Sequence, residues 1–286
     1  HVVARIACFY DARLAATRPE LAPGSRESKG TWYERGEPGW VDPSQPQVQR
    51  YLLAIVEEVA AMGVDEIQLD YLRFPTQGHL EDAVFAFDPG VVAKHEIISG
   101  FLGRIREVLR PTNVLLSADI FGVVAWGHRV DMKRTGQNLR DMLPLLDIVS
   151  PMLYPSHFSG GFERISNPAA YPYYFVYQGC RQLDRIAAQH GVTVRPWIQA
   201  FSYRAPTLDR HYITEQLYGA EEGGTRGWLL WNSASRYELG LAAIDHFMHA
   251  PAPTDSVLLA RRVPVVEPAD EADQDPLGAH LEGTLP

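Results

Sequence analysis

Polar and apolar positions along this chain switch between two periods. Short β-rich runs recur at residues 2–9 (VVARIACF), 65–75 (DEIQLDYLRFP), 113–122 (NVLLSADIFG), 147–155 (DIVSPMLYP), 192–201 (VTVRPWIQAF) and 227–232 (GWLLWN). Each is followed by a stretch with helical spacing. In the first of these, Tyr51, Leu52, Ile55, Val56 and Val59 mark one apolar face, Asp42 and Ser44 offer N-caps, and Gly63 closes the helix. The later helices are expected over about 91–110, 136–145, 177–190, 207–222 and 235–249.

Six strand-then-helix units in series imply a parallel sheet with right-handed crossovers. Two architectures compete, the open doubly wound sheet and the closed eight-fold barrel. No G-x-G-x-x-G or G-x-x-x-x-G-K-[ST] follows any strand, which removes the nucleotide-binding argument for the open sheet. Alternation inside the strands favours the barrel. Gln68 and Asp70 share one face while Ile67 and Leu69 share the other, Ser117 pairs with Asp119 in the same way, and Arg5 lies on the face of Asp11. The fold expected is α/β, a (β/α)8 TIM-type barrel, with one or two N-terminal units outside this chain. The barrel domain is placed at 1–250, followed at 251–286 by an acidic, Pro-rich, flexible tail.

Composition narrows the chemistry. Of 286 residues, 46% are hydrophobic and 21% charged, the balance of a folded globular chain. The formal net charge of −9 argues against a nucleic-acid partner, because phosphate binding needs clustered Lys and Arg. No run of about 18 apolar residues exists to insert in a membrane. Cys8 and Cys180 form neither a disulfide framework nor a zinc site and read as buried thiols. His95-Glu96 begins like H-E-x-x-H but lacks the second His, and there is no G-x-S-x-G. No metal and no cofactor are expected.

Asp70 and Asp119 end neighbouring strands, where barrel enzymes carry their chemistry. Two carboxylates on adjacent strand ends are the minimum for cleaving a glycosidic bond, and a cap or salt bridge is the competing role for either. Arg5, costly to bury alone, should meet a carboxylate such as Asp70 or Asp11. Arg73 reads as an exposed loop charge. Gln68 and Tyr71 flank the first acid. Tyr154, His157, Trp197, Gln199 and Trp231 gather on three further strand ends, as sugar subsites require, since sugar C–H faces stack on aromatics while hydroxyls bond polar groups.

The string DEIQLDYLRFP, with ARIACFYD, TWYERGEPGWVDP, SADIFG, DIVSPMLYPSHF and VRPWIQAF in the same order, resembles a bacterial family described as the "putative glycosyl hydrolase domain", once known only as a domain of unknown function and akin to the alpha-amylase type of barrel. The resemblance runs from about residue 1 to 247 and implies that this chain begins at the third barrel strand. It implies a nucleophile at Asp70 and an acid at Asp119. This chain departs from the amylase pattern at three places: Gln68 stands where an Arg is expected, Asp119 where the acid is usually Glu, and Gln199 where an Asp stabiliser is expected. Chitinase-type barrels offer a second resemblance through D-x-x-D-x-D-x-E, which would align with Asp65, Gln68, Asp70 and Leu72, without the final acid. Met152-Leu153-Tyr154 and Trp231 resemble that group's later strands.

The expected function is hydrolysis of a poly- or oligosaccharide, with an extracellular or cell-envelope location implied by such a substrate. The alternative is a non-catalytic glycan-binding barrel of the cell envelope. The sugar, the linkage and the oligomeric state are not legible.

Overall fold

The computed structural model describes residues 1–37 and 39–249, so the tail expected at 251–286 lies outside the described residues. The chain divides into two compact units. One comprises His1–Ile120 and Gly127–Val149; the other comprises Phe121–Trp126 and the chain from Ser150 onward.

The first unit opens with β1 (Val3–Ala7), a short helix α1 (Ala12–Thr17), the two-residue strand β2 (Gly24–Ser25) and α2 (Pro46–Ala61). It continues with β3 (Glu66–Asp70), a second two-residue strand β4 (Ala83–Val84), α3 (Lys94–Leu109), β5 (Leu115–Phe121), and the short helices α4 (Arg129–Thr135) and α5 (Leu139–Met142). Strands β1 and β3 are parallel with Arg5 opposite Gln68 and Ala7 opposite Asp70; β3 and β5 are parallel with Gln68 opposite Ser117. All five residues of β3 are buried. That is what a strand enclosed on both faces requires, and it is why the polar residues among them must find partners.

Helix α2 presents Val48, Leu52 and Val56 to the core, while Tyr51 is exposed. The apolar face is therefore turned slightly from the one the spacing predicts. Asp42 and Ser44 do not cap it. The N-cap position is Gln45, and Pro46 at the first helical position supplies the start through its fixed φ. Asp42 instead accepts from the Ser44 N–H, the Ser44 hydroxyl and the Ala86 N–H, tying one loop to another. Of the helix expected over 136–145 only α5 and a 3-10 turn at Leu143–Leu145 form, and α4 precedes that range altogether. Gly136 separates α4 from α5: at φ 79 it ends α4 in the left-handed conformation, and a Cβ there would approach Ile98 Cγ1 to 2.9 Å.

The second unit holds the end of β6 (Ile148–Met152), then α6 (Pro172–Ala187), the two-residue β7 (Thr193–Val194), β8 (Trp197–Gln199), α7 (Arg210–Glu222), β9 (Leu229–Trp231) and α8 (Glu238–His249). Strand β8 is parallel to β6, with Trp197 opposite Met152, and to β9, with Gln199 opposite Trp231. Helix α6 begins five residues earlier than its periodicity predicts, because Pro172 opens it. Its Gly179 has no room for a side chain: a Cβ would lie 2.4 Å from Leu153 Cδ2. Close packing there sets the helix against its own unit.

Apart from the two-residue strands β2, β4 and β7, each strand is followed by one or more helices, and every pairing given among β1, β3 and β5, and among β6, β8 and β9, is parallel. Six such strand–helix repeats lie within the described residues, as the sequence pattern predicts. Both Cys8 and Cys180 are buried free thiols, and burial pushes both thiols well above their usual range. No helix of the described residues is long and apolar enough to cross a membrane.

Candidate functional site

The first unit gathers its charge at the ends of three adjacent strands. Asp70 closes β3 at 2% exposure and Asp119 lies two residues inside the end of β5 at 1%. Isolated carboxylates buried this far would cost several kcal/mol, on the order of the penalty for any unpaired ion, so partners are obligatory. Arg5 supplies one to both. Its Nη2 donates to Asp70 Oδ2, and its Nε stands 4.0 Å from Asp119 Oδ2. Burial works against the Arg5 cation, yet the two carboxylates overcome it and raise the guanidinium pKa.

The remaining oxygens are also engaged. Asp70 Oδ1 accepts the Tyr71 N–H at 2.7 Å, and Asp119 Oδ1 accepts from Gln68 Nε2 at 2.6 Å. Gln68 and Arg5 are cross-strand neighbours, so the pair forms a donor row under the two acids. Gln137 anchors the strand ends from below, donating to the carbonyls of Leu72 and Asp119.

Beyond Asp70 the backbone turns sharply. Tyr71 has φ 51, a left-handed conformation that costs an L-residue about 1–2 kcal/mol. Its ring stacks on Tyr10 at 4.8 Å and meets Trp40 edge-on at 5.9 Å. Burial, reinforced by Asp70, pushes the Tyr71 phenol up to about 12. Arg73 corrects the sequence reading: it is 6% exposed, its guanidinium lies 4.7 Å above Trp40, and Nη1 donates to the Phe74 carbonyl. Burial lowers its pKa to about 10, still charged at neutral pH. The planar guanidinium tolerates this place because aromatic faces replace part of its water.

The second unit's strand ends are aromatic and neutral. Tyr154 lies two residues past the end of β6, and with Met152, Trp197 and Phe201 it forms a buried cluster against which Trp231 packs. Trp197 and Trp231 meet edge to face at 5.7 Å. Gln199 is fully buried and fully used: its Oε1 accepts the Ser156 N–H, and Nε2 donates to the carbonyls of Phe201 and Tyr203. It clamps two loops together. Between them sits His157, ringed by Tyr154 at 5.1 Å, Phe201 at 5.5 Å and Tyr203 at 5.6 Å. Burial, with Arg204 nearby, lowers its pKa to about 4. At neutral pH His157 is an uncharged imidazole, and Nε2 has no hydrogen-bond partner among the described residues.

Of the residues singled out in the sequence, Arg5, Gln68, Asp70, Tyr71 and Asp119 come together in the first unit. Tyr154, His157, Trp197, Gln199 and Trp231 come together in the second. Sequence reasoning missed Tyr10, Trp40 and the buried Arg73; the density of aromatics in TWYERGEPGW was the available signal. A separate cavity of about 420 Å³ in the second unit is lined by Tyr171, Pro172, Pro206, Asp209, Tyr212 and Glu215, none of which belongs to the aromatic cluster. Among the described residues no three His, Cys, Asp or Glu side chains are grouped as a metal ion would need.

No curated protein matches the chain. Among solved structures, a hypothetical protein from Ruminiclostridium thermocellum ATCC 27405 is 39% identical over 42% of this chain and 58% of its own, with a TM-score of 0.36. The chain thus spans less than two thirds of that relative. The PgaB (BpsB) glycoside hydrolase domain from Bordetella bronchiseptica is 14% identical, with 87% of this chain and 76% of that one covered and a TM-score of 0.62. That likeness shows the fold, the TIM-barrel type. The family model described as "Putative glycosyl hydrolase domain" matches residues 1–237, and the chain belongs to that family.

Proposed function

We propose that the chain hydrolyses glycosidic bonds of a poly- or oligosaccharide, with Asp70 as nucleophile or base and Asp119 as general acid. The observation that carries this reading is the single guanidinium of Arg5 contacting both carboxylates from neighbouring strands. One cation serving two acids holds them close without letting them meet. Glycosidases need such a pair, about 5 Å apart to retain configuration and roughly 6.5–9.5 Å apart to invert it.

In this reading Asp119 gives a proton to the departing sugar oxygen while Asp70 stabilises or attacks the anomeric carbon. In the retaining form a covalent sugar–Asp70 ester results, and water, deprotonated by Asp119, then breaks it. In the inverting form Asp70 takes the proton from the attacking water instead. Arg5 and the Tyr71 N–H orient Asp70, and Gln68 orients Asp119. Within the second unit, we assign sugar contact to Trp231 and His157, the less buried members, and a positioning role to Tyr154, Trp197 and Gln199. The uncharged His157 would hydrogen-bond a hydroxyl and not donate a catalytic proton at neutral pH. In this reading a polymeric substrate favours a location outside the cell or in its envelope.

A second reading is favoured by the burial of both acids, at 2% and 1% exposure. A glycan-binding module would keep them as ties for Arg5. Reducing-end release from a polysaccharide panel separates the two. The hydrolase reading requires Asp70→Asn to lower turnover by at least about 10³-fold with the fold intact; glycan binding without product, in the unmodified protein, would replace it with the binding module.

A further inference from the structure

Two long loops leave the strand ends of the first unit, residues 8–45 after β1 and residues 71–93 after β3. The first carries α1 and β2 and the second carries β4. They are built as one structure: β2 pairs antiparallel with β4, Asp82 Oδ1 accepts from the Ser25 hydroxyl and the Glu27 N–H, and Trp32 Nε1 donates to the His79 carbonyl. The aromatic group beyond Asp70 is drawn from both loops, Tyr10 and Trp40 from one and Tyr71 from the other.

Three features set this group apart from core filling. Tyr10 keeps 38% of its surface exposed although it stacks on Tyr71 and meets Trp40 edge-on at 5.3 Å. Tyr71 holds its ring in place through a strained, left-handed backbone directly beside the acid. Gly39 leaves space for the Tyr10 ring, since a Cβ there would come within 2.6 Å of Tyr10 Cε2. Beneath them Trp40 is fixed by its Nε1 donating to Glu34 Oε2 and by the Arg73 guanidinium on its face.

We infer that Tyr10, backed by Tyr71 and Trp40, is a stacking platform for a pyranose ring of a multi-unit saccharide, one unit along the chain from the sugar at Asp70. A flat, half-exposed phenol ring offers a sugar's C–H face the apolar contact it seeks, and the phenol oxygen offers a hydrogen bond at its edge. The substrate class that follows is an oligosaccharide or polymer, because a lone terminal sugar held at Asp70 leaves the platform idle. The inference rests on the hydrolase reading for the identity of the neighbouring site, but the platform is tested by binding alone.

The probes are four hexasaccharides: β-1,4-linked glucose, β-1,4-linked N-acetylglucosamine, β-1,4-linked glucosamine and α-1,4-linked glucose. Their binding to Asp70→Asn is read by calorimetry and by tryptophan fluorescence, with Trp40→Phe identifying the reporter. At least one hexasaccharide is expected to bind, with affinity falling about tenfold in Asp70→Asn/Tyr10→Ala and recovering in Asp70→Asn/Tyr10→Trp. Gly39→Ala, which leaves Tyr10 in the sequence but pushes on its ring, is expected to weaken binding in the same direction. Monosaccharide binding is expected to be unchanged by Tyr10→Ala. Equal hexasaccharide affinity with and without Tyr10, or no binding by any of the four, overturns the platform. Tyr10-dependent binding of a hexasaccharide that the unmodified protein never cleaves would overturn the hydrolase reading and leave the platform standing.

Discussion

The two units use their strand ends in opposite ways. In the first, β1, β3 and β5 present Arg5, Asp70 and Asp119, charges that burial would penalise if they did not satisfy one another. In the second, β6, β8 and β9 lead to Tyr154, Trp197, Trp231 and His157, rings that burial rewards and that carry no charge at neutral pH. In each unit a buried glutamine stands on one of these strands, Gln68 on β3 and Gln199 on β8, with different duties. Gln68 gives its amide to an acid, whereas Gln199 gives all of its bonds to backbone. A side chain that serves a carboxylate remains available to tune chemistry; one that serves three backbone groups is a fastener. The comparison is why the proposed function assigns reactivity to the first unit and shape to the second.

The largest expected effect breaks that division directly. Asp119→Asn keeps the Gln68 contact through its side-chain oxygen but cannot deliver a proton, so turnover should fall by about 10²–10⁴-fold with little loss of stability, as reducing-end assays and thermal unfolding would show. Arg5→Leu should lower both quantities. It leaves two carboxylates facing each other without their shared cation, and because the Arg5 side chain is 35% exposed the cost should be about 2 kcal/mol, below that of a fully enclosed pair. A denaturant titration that shows no change would detach Arg5 from both roles.

In the second unit, Gln199→Leu should cost about 2–3 kcal/mol, since it strands the Ser156 N–H and two carbonyls in a buried place. Urea unfolding checks this, and turnover at saturating substrate should fall far less than in Asp119→Asn. The effect confined to acid conditions is a pH dependence. The His157 pKa is about 4 when folded against 6.5 for the free side chain, so the unfolded chain binds the extra proton between those values. The stability tied to His157 is complete above pH 6.5 and is lost as pH falls toward 4, by about 3 kcal/mol in all. In His157→Phe that part of the acid-induced loss should vanish from thermal unfolding measured at pH 7, 5.5 and 4.

Much of this was legible in one dimension. The alternation of Gln68 and Asp70 against Ile67 and Leu69, repeated by Ser117 and Asp119, reports strands with a polar side, because side chains on a strand point to opposite faces in turn. The apolar periods between strands report helices for the same local reason. Where the reading failed, a residue's neighbours came from far along the chain. Asp42 looked like a helix cap and became a tie to Ala86; Arg73 looked solvated and became the filling between Trp40 and its loop.

The order of strands and helices, the parallel sheet, the two acids and the need of Arg5 for a carboxylate follow from sequence alone, since each depends on backbone periodicity or on the cost of burying one charge. Tertiary structure decided which carboxylates Arg5 serves, that Gln68 takes Asp119 as its partner, that Gln199 is a fastener, and that Tyr10, Trp40 and Tyr71 stack beside Asp70. Those outcomes depend on register between strands and on two loops pairing through β2 and β4. Register is set by the packing of whole elements, which no short window of residues contains.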